Sequence, residues 1–217
     1  MNSAGPGEPL DIPAAWRGGE LLGRPDWQIT LEAKEIDELL EAIQPVLKSG
    51  RPWQETSMGD YEMPSLASRL ADIQRDLELG SGSTIVKGFP VDVLDEEQAA
   101  CAFWAMMCHI GTAVSQTAEG QRLFHVRDEG FRVGQPQARG PNTRNRLSFH
   151  TDRCDVIAFL CLQQALRGGE NQLVSSVTLY NEILRRRPDL LEVLMQPLLY
   201  KRHNVDRGNA QPYCRQP

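Results

Sequence analysis

Residues 147–194 read LSFHTDRCDVIAFLCLQQALRGGENQLVSSVTLYNEILRRRPDLLEVL. Within this stretch Val156–Leu162 is an unbroken apolar run. It is too short for a capped core helix and fits a strand buried on both faces, with Cys161 inside. Gly168-Gly169 ends the run, and Gln172–Ser175 is a second strand candidate. Thr178 is placed to cap a helix reaching about Arg186, and Pro188 opens another through Leu194.

Upstream, the pattern is helical. Ile36, Leu39, Leu40, Ile43 and Leu47 recur at helical spacing, with Gly50 as a stop and Pro45 placed to bend or shorten the helix. A second amphipathic helix is predicted from about Pro64 to Leu79, with Leu66, Leu70, Ile73 and Leu77 on one stripe and Gly80 ending it. Thr84–Gly88 reads as a strand. Asp95 followed by Gln98 has the spacing of a capping box opening a third helix that ends near Gly111. Beyond Gly111, Thr112–Ser115 and Leu123–Arg127 read as further strands. Residues 1–28, punctuated by Pro and Gly, read as an irregular arm anchored by Trp16 and Trp27, and residues 29–217 as a single domain. Helices first and strands later make this an α+β chain around a mostly antiparallel sheet.

The chain has 217 residues, enough for one sizeable core. With 23 basic and 29 acidic residues, its net charge is −6, and it has no basic cluster suited to a phosphate backbone. Arg185-Arg186-Arg187 ends a helix and complements its dipole. No run is long and apolar enough for a bilayer, and Met1–Pro9 lacks the features of a signal peptide. Nucleic acid and membrane are thus excluded as expected partners. Five cysteines, an odd number, read as buried thiols in a reducing cytoplasm.

The chemistry-bearing element is Ser148-Phe149-His150-Thr151-Asp152. In a strand or its exit, residues i and i+2 share a face, so His150 and Asp152 can occupy adjacent positions on one metal. An H-x-D tripeptide arises often by chance, and its meaning comes from context. The context resembles the taurine-dioxygenase-like (clavaminate-synthase-like) family of Fe(II)/2-oxoglutarate oxygenases. There an HxD pair precedes a hydrophobic strand, a Gly-Gly turn, a Ser-containing strand and a Leu-rich helix around P-x-L-L. The upstream TIVKGFPVD (84–92), the helix through Trp104 and the Gly111 turn are similar to its N-terminal half.

That resemblance implies a double-stranded β-helix (jelly-roll) core with N-terminal helices packed outside it. It implies His150 and Asp152 as catalytic iron ligands, and a 2-oxoglutarate contact at Asn171, where the family commonly carries Ser or Thr. It further implies oxidation of a small-molecule substrate by molecular oxygen, coupled to decarboxylation of 2-oxoglutarate to succinate. Hydroxylation is the default, and the presence of Asp152 argues against halogenation. The family's second histidine and its 2-oxoglutarate-binding Arg come late, well past the HxD pair. Here His203 is the sole downstream histidine, in LLYKRHNVDRGNAQPYCRQP, where the family has a loop; it is read as a loop residue. A jelly roll has about eight strands, of which about half are legible, so the core reads as incomplete at the C-terminus. Open edges would favour self-association as a homo-oligomer. Two alternatives stand beside the oxygenase: a truncated non-catalytic remnant, and a cupin-like metal or small-ligand module using His150, Asp152 and His203. Elsewhere, Cys101, Cys108 and His109 match no common zinc spacing and read as core, while His125 and Arg146 read as sheet-surface residues.

Overall fold

The computed structural model describes residues 7–25, 27–117, 119–131, 143, 146–152, 154–201 and 213–216. They form two compact units, Met1–Ile110 with Cys161–Pro217, and Gly111–Leu160.

The first unit is built on three helices whose apolar stripes set their packing. α2 (Ala33–Ser49) packs on α3 (Pro64–Leu79) and on α4 (Glu96–Cys108), following the short α1 (Gly18–Leu22). Leu39 and Ile43 of α2, Leu66 and Leu70 of α3 and Cys101 of α4 are almost wholly buried. Pro45 does not shorten α2, which runs to Ser49 and stops at Gly50 in the left-handed conformation (φ 71°). Burial of Ala42, Ile43 and Val46 on both sides of Pro45 holds the helix through the lost N–H. α4 opens as its spacing predicts: the Asp95 carboxylate accepts from Gln98 N at 2.8 Å, and Gln98 Oε1 accepts from Asp95 N at 3.0 Å.

α3 has no side-chain cap of its own, and α2 supplies one. Glu38 Oε2 accepts from the amides of Ser65 (2.8 Å) and Leu66 (3.1 Å), placing a carboxylate at the positive end of α3. Burial opposes ionisation of Glu38, but these bonds and Lys34 hold its carboxyl below the usual range. Buried Glu35 accepts from Arg69 Nε at 2.9 Å, tying α2 to α3 a second time.

Between α2 and α3, two 3-10 turns, Trp53–Glu55 and Met58–Asp60, set a polar knot against α4. Thr56 Oγ1 donates to the Trp53 carbonyl (2.6 Å), so the Tyr61 hydroxyl must donate to Thr56 Oγ1 (2.6 Å). The Thr56 carbonyl accepts from Trp104 Nε1 at 3.4 Å. Burial pushes the Tyr61 phenol and the Cys101 and Cys108 thiols up, which keeps all three neutral. The Trp53 and Trp104 rings meet edge to face, with centroids 5.7 Å apart.

β1 (Gln28–Thr30) pairs in parallel with β2 (Ile85–Lys87), with Ile29 opposite Val86. Trp16, Leu21 and Trp27 form a buried cluster, and the segment read as an irregular arm contains α1 and the first residue of β1. Further along lie α5 (Ser176–Arg186), α6 (Pro188–Leu194), β3 (Leu198–Lys201) and β4 (Tyr213–Gln216). The cap of α5 is Ser175, whose hydroxyl accepts from Thr178 N at 2.9 Å, so the helix starts before Thr178. β3 pairs antiparallel with β4, Tyr200 opposite Cys214. Both strands fall in the segment LLYKRHNVDRGNAQPYCRQP, expected from the sequence to be a loop, which corrects that reading; His203 within it lies outside the described residues.

The second unit, Gly111–Leu160, has no helix or strand among its described residues. Its local order comes from turns such as Gln116 N donating to Gln121 O (2.6 Å) with Gln116 Nε2 donating to Arg122 O (2.9 Å). The strands expected at Thr112–Ser115, Leu123–Arg127, Val156–Leu162 and Gln172–Ser175 are not formed. The reason is physical: an extended segment satisfies its backbone only against a neighbour, and no described strand pairs with these. Their side chains follow, with Phe159 71% and Leu166 98% exposed. Cys161, expected in the core, is exposed, as is Cys154; only Cys101 is fully buried, and no two cysteines are bridged.

The described residues are thus α+β with four short strands, and a closed jelly-roll sheet is not among them.

Candidate functional site

His150 and Asp152 lie in the second unit, on irregular exposed backbone rather than on a strand. The His150 ring is oriented by its own chain: Nδ1 stands 2.7 Å from the Ser148 carbonyl. A carbonyl can only accept, so Nδ1 is the donor in this bond, which leaves Nε2 as the ring nitrogen that could ligate a metal. That is the arrangement a histidine needs to ligate a metal through Nε2, with a backbone carbonyl as its outer support. The part played by Ser148 is invisible to side-chain pattern reading, because it is made by a main-chain atom. The only signal is that the acceptor sits two residues before the histidine.

Asp152 supplies a hard oxygen donor two residues on, a chemistry suited to Fe(II) beside an imidazole. Its charge is felt by Cys154: partial burial first, then Asp152 and Asp155, push that thiol up, so Cys154 is a protonated and sluggish neighbour. No group of three His, Cys, Asp or Glu close enough to hold a metal forms among the described residues. An imidazole and a carboxylate two residues apart are the donor types an iron site uses.

Asn171 lies in the first unit, exposed, after Gly168 and Gly169, whose positive φ angles (76° and 81°) make the turn. His125 is exposed in the second unit. His109 ends α4 half-buried, and desolvation lowers its pKa. Of the same trio, Cys101 is buried with Sγ 4.0 Å from the Tyr61 hydroxyl, as a core reading expects, whereas Cys108 and His109 are half-buried. The Arg cluster is taken up by carboxylates: Arg185 and Arg186 meet Glu182 (2.8 and 2.7 Å), and Arg187 meets Asp189 (2.7 Å).

Comparison with known proteins defines the class. The family model described as "Taurine catabolism dioxygenase TauD, TfdA family" matches residues 47–217, and the chain belongs to that family. Members are in general Fe(II)/2-oxoglutarate-dependent dioxygenases of jelly-roll fold acting on small molecules. Among curated relatives, FR-33289 synthase of Streptomyces rubellomurinus is 28% identical over 185 residues, covering 85% of this chain and 55% of that protein. Taurine hydroxylase-like protein SAT17 of Stachybotrys chartarum is 25% identical over 198 residues, covering 88% of this chain and 51% of its own. The chain spans about half the length of the curated relatives it matches. No helix among the described residues is long and apolar enough to cross a membrane.

Proposed function

We propose that this chain carries the iron-binding half-site of an Fe(II)/2-oxoglutarate-dependent dioxygenase that oxidises, by hydroxylation, a small molecule in the cytoplasm. The observation that carries this reading is the H-x-D pair in a chain of this family, with its histidine ring oriented by the Ser148 carbonyl through Nδ1. His150 Nε2 and an Asp152 oxygen would hold the metal. Bound there, Fe(II) would supply the redox chemistry by which oxygen oxidises a substrate C–H bond, with 2-oxoglutarate giving the other two electrons as it loses CO2 to become succinate. The chain's own groups position and neutralise. The Ser148 carbonyl holds the His150 proton at Nδ1, Asp152 offsets one positive charge of the ion, and the Asn171 amide donates to a carboxylate of 2-oxoglutarate. In this reading residues 29–217 belong to one oxygenase domain, with residues 1–28 as its arm, and its core is a double-stranded β-helix.

Anaerobic titration with Fe(II) and 2-oxoglutarate, read by the charge-transfer absorption of the chelate, tests this. Asp152→Ala and His150→Ala should each abolish the band and any iron-dependent succinate formation. Asn171→Ala should raise the 2-oxoglutarate required by roughly tenfold, the scale of one lost hydrogen bond to a charged group. Unchanged iron binding in both ligand variants would sink the assignment. Loss of the band in His203→Ala would make that residue the third ligand and overturn its reading as a loop residue.

A further inference from the structure

The segment preceding α1 belongs to no regular element, yet α5 grips it along its length. The Asn181 side chain accepts from Leu10 N through Oδ1 and donates to Leu10 O through Nδ2, both at 2.8 Å. One planar amide thereby completes the donor and the acceptor of one residue, as a neighbouring β-strand would. The Tyr180 hydroxyl accepts from Gly7 N and donates to Glu8 O, each at 3.3 Å. Thr178 Oγ1 donates to Trp16 O at 2.8 Å, and Ser175 Oγ donates to Ala14 O. All of these bonds end on backbone atoms of the arm, which itself turns at Ile12–Ala15 (Ala15 N to Ile12 O, 2.8 Å), so α5 reads main chain rather than a side-chain sequence. Trp16 adds a buried anchor, with Nε1 donating to Ser81 O at 2.7 Å, and Arg17 pairs with Glu182. The arm lies outside the residues matched by the family, whereas α5 lies within them.

We propose that α5 is an intramolecular peptide-binding site whose ligand is the chain's own segment 7–17, and that this docking fixes the start of α5. The link between the two is Ser175. Its one hydroxyl proton goes to Ala14 O while its oxygen caps α5 at Thr178 N. An undocked arm leaves that hydroxyl free to turn, and the first turn of α5 frays. Asn171 stands four residues before Ser175, so the arm also restrains the loop that carries the cosubstrate contact; this last step rests on the function proposed above, and the docking does not.

Hydrogen exchange on the full chain, resolved by mass spectrometry, tests the docking without any cofactor. In the unaltered protein the amide of Leu10 should exchange slower than a free peptide. Asn181→Leu, which keeps the size and removes both bonds, should raise that exchange by roughly tenfold or more, and Leu179 and Thr178 should follow by a smaller factor. Leu10→Pro deletes the arm's donor, and with it the amide at that position, while leaving α5 untouched; it should reproduce the faster exchange of Thr178 and Leu179. Protection in α2 and α3 should stay as it was; where Asn181→Leu disturbs it, Leu10→Pro decides. Free-peptide exchange at Leu10 in the unaltered chain would overturn the site. Arm release that leaves Thr178 and Leu179 as protected as before would overturn the coupling.

Discussion

Residues 33–108 and residues 147–175 are both rich in apolar side chains, and they dispose of them in opposite ways. In the first, α2, α3 and α4 bury Leu39, Ile43, Leu66, Leu70 and Cys101 almost completely. In the second, Phe149, Ile157, Phe159 and Leu166 are all exposed on irregular backbone. The difference lies in where the backbone finds its partners. A helix closes its hydrogen bonds within its own segment, so three helices can settle on one another early. A strand closes them only against another strand, and its side chains have no buried face until that partner arrives.

Thiol chemistry offers the widest contrast between the two regions. Cys161 should react with a thiol reagent orders of magnitude faster than Cys101, because one is exposed and the other is buried with its pKa pushed up. Cys154, exposed but also shifted upward, should fall between them. Equal protection of Cys101 and Cys161 would show that residues 156–162 are buried in solution and would end the comparison.

Truncating side chains should separate the regions next. Leu39→Ala, at a fully buried position, should cost about 2–5 kcal/mol in denaturant unfolding. Phe159→Ala, 71% exposed, should stay within about 0.5 kcal/mol. A Phe159 effect matching that of Leu39 would place both in one core. Removing the α4 cap with Asp95→Ala should cost about 1 kcal/mol, visible as a lowered urea midpoint with an unchanged slope.

The smallest expected effect is electrostatic. Hydrogen bonds from Arg185 and Arg17 hold the Glu182 carboxyl down to about 2 from its ordinary 4.5. A lowered folded-state value stabilises fully above the unfolded pKa, so this contribution is present above about pH 4.5 and fades as pH falls toward 2. Protection at Leu10, its exchange relative to a free peptide at the same pH, should therefore fall over that window, and Glu182→Gln should flatten the fall.

What the sequence made legible follows the same division. The i, i+4 stripe of Leu66 and Leu70, the Asp95–Gln98 box and the Gly50 stop each act within a few residues, and each stands where its spacing puts it. Val156–Leu162 had the composition of a buried strand, but composition cannot supply the ladder that makes it one. β3 and β4 were illegible for the converse reason: they have their partner strand, but neither LLYK nor YCRQ alternates apolar with polar residues. At the candidate site, the i, i+2 spacing of His150 and Asp152 was readable, whereas the Ser148 carbonyl and the grip of α5 on the arm are made with backbone atoms that leave no trace in residue identity.

The edge-to-face pair of Trp53 and Trp104 gives the helical layer an optical signature of its own. Two indoles at that separation and tilt couple as chromophores, so their circular dichroism is a property of the pair. Trp16 and Trp27 sit in a different cluster, at the root of the arm. The molecule therefore carries two sets of built-in reporters. Loosening the arm would change indole emission while leaving the coupled dichroic band in place, and melting the helices would extinguish that band.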